Sequence, residues 1–62
     1  MQYRIIYFIS PTATAEIIIV DNILAVHAMI DYANKWNGKI FLIECRNVGA
    51  HKWNSSGITQ ND

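Results

Sequence analysis

Apolar positions fall into three strand-like runs and one helical run. In residues 2–9, Tyr3, Ile5, Tyr7 and Ile9 alternate with Arg4, Ile6 and Phe8, a period of two without a breaker. Residues 15–20 carry Ile17-Ile18-Ile19-Val20, whose β-branched side chains disfavour a helix. Residues 39–46 resume the two-residue period, with Phe41, Ile43 and Cys45 on one side and Ile40, Leu42, Glu44 and Arg46 on the other. Between the second and third runs, Ile23, Val26, Met29, Ile30, Ala33 and Trp36 recur at helical spacing. Asp21-Asn22 offers an N-cap to that helix, and Asn37-Gly38 a stop in which Gly38 takes the left-handed position.

The turn chemistry of Ser10-Pro11-Thr12-Ala13 separates the first two strands. It also permits another segmentation, because Ser10 can cap a helix whose first residue is Pro11. That helix would run over residues 11–37. Four consecutive Ile/Val residues and the Asp21-Asn22 break favour a strand instead.

These elements predict an α+β fold with ββαβ order and a three-stranded antiparallel sheet (order 2-1-3), one helix packing on one face. Residues 1–47 form the single domain, and the polar residues 48–62 a loosely ordered C-terminal tail with Trp53 as its anchor. Charged positions assign the faces. Tyr3, Ile5, Tyr7, Ile17, Ile19, Phe41, Ile43 and Cys45 are expected beneath the helix. Ile6, Phe8, Ile18, Val20, Ile40 and Leu42, with Arg4, Glu16, Glu44 and Arg46, are expected on the open face. The order 2-1-3 also sets Arg4 near Glu44.

Composition narrows the function. The 62 residues hold 52% hydrophobic side chains, enough for a core but only a marginal one. A lone Cys45 excludes an internal disulfide, and two histidines with one cysteine do not supply a structural zinc site, so the remaining route to stability is a partner or a second copy. Five basic and five acidic residues balance, which argues against a nucleic-acid binder and against a polyanionic mimic. The stretch over residues 17–30 is broken by Asp21, Asn22 and His27, so no membrane span is expected. The single cysteine and the absence of a recognisable signal segment point to a cytoplasmic setting.

Candidate chemistry is sparse. His27 and Asp31 share a helix face, but the sequence places no third group or nucleophile with them. Cys45 on an apolar strand reads as a small core residue. No phosphate loop or paired-cysteine motif is present. The expectation is therefore no catalytic residue, no metal ligand and no cofactor.

The succession of the strand at 3–9, the strand at 15–20, the helix entered at Asp21-Asn22 and the strand at 39–46 resembles small bacteriophage-encoded proteins. Several host-takeover and anti-defence factors share this hairpin–helix–strand layout, among them phage inhibitors of bacterial RNA polymerase, phage antitoxins and some anti-CRISPR proteins. The passage from Asp21 to Ala28 is similar to their strand-to-helix junctions. The likeness covers about residues 2–46 and carries over no functional residue. Many of those proteins are acidic; this chain is neutral, which departs from charge mimicry.

The resulting expectation is a non-enzymatic protein that docks sterically on bacterial host machinery in the host cytoplasm. Its partner-binding residues are Arg4, Ile6, Phe8, Ile18, Leu42, Arg46 and Trp53. One alternative is a homodimeric structural or regulatory module closed by the open face. Another is a nucleic-acid-binding sheet using Tyr7, Phe8 and Arg46.

Overall fold

A computed structural model describes residues 1–61; the last residue of the tail, Asp62, lies outside them. Strand β1 (Gln2–Phe8) pairs with β2 (Glu16–Val20) on one side and with β3 (Lys39–Arg46) on the other, both antiparallel. Helix α1 (Ile23–Trp36) connects β2 to β3. The β-branched run of β2 is thus a strand, and the helix begins only after Asp21-Asn22. The tail adds a fourth strand, β4 (Asn54–Ser55), outside β3, and the sheet order is β2-β1-β3-β4.

The core is one layer between α1 and the sheet. Ile5, Ile40 and Ile43 meet Val26, Ile30 and Ala33, with Tyr3, Tyr7, Val20, Met29 and Ile58 packed around them. The helix lies over β1 and β3 rather than over β2.

Local chemistry sets the helix ends. The Asn22 side-chain oxygen accepts the Ala25 amide at 2.9 Å, satisfying a first-turn donor that has no helical partner. At the other end Asn37, not Gly38, takes the left-handed conformation (φ 59°), and the Gly38 amide closes back on the Ala33 carbonyl at 2.8 Å. Gly38 is needed for another reason. It is buried, and a Cβ there would stand 3.1 Å from the Phe8 carbonyl oxygen in β1. Gly38→Ala is expected to destabilise the fold by about 1–2 kcal/mol through this overpacking, read as a lower urea midpoint.

Face assignments change in two strands, β2 and β3. The β1–β2 register sets Ile5 opposite Ile18 and Tyr3 opposite Val20, so Ile18 and Val20 share the helix side. Ile17 and Ile19, opposite Ile6 and Arg4, are on the open face. Glu16, expected on the open face, lies opposite Tyr7 on the helix side, where the helix leaves β2 uncovered. In β3 the register shifts between Ile6 and Tyr7, whose partners are Leu42 and Ile40. Phe41 is the extra residue of this bulge. It is 66% exposed rather than beneath the helix, while Ile40 enters the core. Trp36, aligned with the apolar stripe, is 49% exposed and stacks on Tyr32 with ring centroids 5.4 Å apart.

Candidate interaction face

The open side of the sheet follows from these registers. Its rows read Gln2 with Arg46; Ile19, Arg4 and Glu44; Ile17, Ile6 and Leu42; and Phe8 with Lys39. An apolar centre of Ile6, Ile17, Ile19 and Leu42 therefore has a charged row along one side. Ile17 and Ile19 are 63% and 53% exposed. Phe41 at the bulge is a further exposed apolar side chain of β3. Burying about 300 Å² of such surface would contribute roughly 7 kcal/mol at ~25 cal/mol per Å². That exceeds the roughly 3–5 kcal/mol that a single core in so small a domain supplies.

The charged row is fixed within the chain. Arg4 donates through Nε and Nη2 to one Glu44 oxygen, at 2.9 and 2.6 Å. This half-buried pair contributes up to about 1 kcal/mol and helps hold the β1–β3 register. Arg46 donates from Nε to Gln2 Oε1 at 3.0 Å. The Trp53 ring lies against both guanidiniums, 4.8 Å from Arg4 and 4.2 Å from Arg46. Cation–π attraction thus pins the tail to the rim of the open face.

Beyond Trp53 the tail runs along β3. The Ser56 amide and hydroxyl both donate to the Ile43 carbonyl, at 3.2 and 2.6 Å. The Gln60 side chain accepts from the Ile40 amide at 2.8 Å and donates to the Gly38 carbonyl and to Asn34 Oδ1. The outer edge of β3 is thereby covered by the chain's own C-terminal segment.

Five of the residues expected to bind a partner, Arg4, Ile6, Phe8, Leu42 and Arg46, are on this face by register, and Trp53 joins its rim. Ile18 is on the other side. Ile17, Ile19 and Phe41 were not among the expected residues, and strand alternation alone could not recover the first two. Their parity depends on the pairing across the loop of residues 9–15, which the sequence leaves free.

Elsewhere the described groups are dispersed. His27 and Asp31 are both exposed on α1. The Cys45 thiol is half-buried and points to the Ser55 carbonyl at 3.9 Å. Among the described residues no three His, Cys, Asp or Glu side chains gather at one point. A cavity of about 410 Å³ is lined by Phe8, Ser10, Pro11, Asn37 and Lys39, with Lys39 its one ionisable side chain. No helix among the described residues is long and apolar enough to cross a membrane.

One titrating group is displaced. Burial, then the negative charge of Glu16, then a hydrogen bond to that carboxylate hold the Tyr7 phenol above its ordinary value of 10.0. The folded state therefore keeps this proton more tightly than the unfolded chain does. The associated stability is complete below pH 10 and is lost as pH rises through the folded value. Urea midpoints are expected to fall in that alkaline window, and less so in Tyr7→Phe.

Comparison with protein-family models, with characterised proteins and with solved structures finds no match for this chain.

Proposed function

We propose that this chain is a non-enzymatic binding protein that acts by docking the open face of its sheet on another protein. The observation that carries this reading is the apolar centre formed by exposed Ile17, Ile19 and Leu42 around half-buried Ile6, beside an ordered rim of Arg4, Glu44, Arg46 and Trp53. An apolar centre with a polar rim is the usual anatomy of a protein–protein interface, and Trp and Arg are enriched in such contacts. We propose as its target class a bacterial macromolecular machine in the cytoplasm, on which the chain acts as a phage-type steric inhibitor or modulator; the sole support for this target class is the resemblance of layout noted from the sequence.

Two features favour protein over nucleic acid as the partner. The net charge is zero. Both open-face guanidiniums are already engaged, Arg4 with Glu44 and Arg46 with Gln2 and Trp53, so neither is free to bind phosphate without loss.

The test is capture from a bacterial lysate at two ionic strengths after nuclease treatment. Apolar docking is expected to retain one host protein or assembly through washes at about 0.5 M salt, because screening weakens charge contacts and leaves apolar ones. Retention that vanishes at that salt, or after nuclease, would overturn this reading.

A further inference from the structure

The two edges of the sheet are treated differently. The β3 edge is covered by β4 and by Gln60. The β2 edge has no such cover among the described residues, since β2 pairs with β1 alone. Apart from its short length and Glu16 at its first position, it lacks the usual devices against edge pairing. Its sequence Glu16-Ile17-Ile18-Ile19-Val20 has no Lys or Pro, and its pairing with β1 runs without a bulge. Four of its five residues are exposed.

We infer that β2 is the contact strand for a second copy of this chain, pairing antiparallel across a two-fold axis through Ile18. The strand is self-complementary in that arrangement. Residues opposite one another across antiparallel strands share a face, so the axis must set a residue opposite its own counterpart. Centring on Ile18 is the choice that pairs all five positions. Ile17 then meets Ile19 of the second copy, and Glu16 meets Val20. Asp21 falls opposite Ala15, so no like charges face each other.

The surroundings fit the same geometry. Helix α1 lies over β1 and β3, so it leaves room above β2 for a neighbour. Ile18 and Ile23, each 38% exposed, remain partly uncovered. Two copies of Ile18 would meet in the trough between the two helices. On the opposite side, Ile17 and Ile19 from both copies would join into one apolar strip between the two Ile6 side chains. One continuous eight-stranded sheet results, with both open faces on the same side.

A five-residue edge buries less than the ~800 Å² per partner of a standard interface. The dimer is therefore expected to dissociate at about 10–100 µM. This inference does not rest on the docking reading: edge pairing is made by the backbone of β2, although Ile17 and Ile19 of the open face would border the seam.

Sedimentation equilibrium of the native chain up to about 500 µM is the first measurement, and dimer is expected to dominate at the top of that range. Leu42→Lys, which alters the open face and not the β2 edge, should leave the dimer intact. Disulfide trapping in a Cys45→Ala background fixes the register. Ile18→Cys should link to itself under oxidised glutathione, because its two copies stand about 5 Å apart. Glu16→Cys should not, because its copies stand about 14 Å apart. A native chain that stays monomeric to about 500 µM overturns the inference. So does a dimer that Leu42→Lys dissociates, or one in which Glu16→Cys links and Ile18→Cys does not.

Discussion

Ile5→Ala is expected to leave the protein largely unfolded at room temperature. Ile5 is fully buried at the centre of β1, paired with Ile18 on one side and Ile43 on the other. It anchors the one layer in which Val26, Ile30 and Ala33 meet the sheet. Truncating a buried isoleucine costs about 2–5 kcal/mol, the lost transfer energy plus the cavity left behind. A single core in a chain this short supplies about 3–5 kcal/mol in total, so the loss matches the whole stability. Circular dichroism should show loss of the cooperative thermal transition. A transition that survives with a change under about 1 kcal/mol would mean that stability is held elsewhere. Leu24→Ala, at a position 76% exposed, should by contrast lie within about 0.5 kcal/mol of the native chain.

Leu42→Lys is expected to weaken partner binding by about 100-fold or more while leaving the fold intact. Leu42 stands opposite Ile6, which stands opposite Ile17, so it closes one end of the apolar row across the open face. It is 37% exposed, enough for a lysine to direct its ammonium to water in the free protein. Against a docked partner the same ammonium would be buried without a counter-charge. Calorimetric titration of the captured partner measures the difference. Leu24→Lys, on the outer surface of α1, is the control and should bind like the native chain. Equal affinity of Leu42→Lys and the native chain would remove the open face from the contact.

Residue type and spacing were enough to locate the main elements. The β-branched run Ile17-Ile18-Ile19-Val20 forms a strand, and Asn22 caps the helix that follows. The order of the first three strands and the Arg4–Glu44 pair follow from short connections and from charges placed on one face.

What could not be read depended on partners distant in sequence. The side of β2 is decided by pairing across a seven-residue loop, and a slip of one residue exchanges Ile18 with Ile17 and Ile19. Glu16 misled the assignment because a charged residue is tolerated on the helix side where the helix does not reach. The Phe41 bulge has no local signature, yet it turns Ile40 into core. Strand β4 has the composition of a loop. It pairs because β3 offers open backbone groups and because Trp53, Ser56 and Gln60 each find a partner along that edge. The same dependence makes the candidate face partly legible. Arg4, Ile6, Leu42 and Arg46 lie in strands whose parity their own charges reveal, whereas Ile17 and Ile19 do not.

Methyl NMR of the isoleucine- and leucine-labelled chain, titrated with its captured partner, reads the central claim residue by residue. Docking by the open face predicts that the methyl signals of Ile6, Ile17, Ile19 and Leu42 shift or broaden together, while those of Ile23 and Leu24 on the helix stay in place. Movement confined to Ile23 and Leu24, with the four open-face signals unchanged, would contradict it.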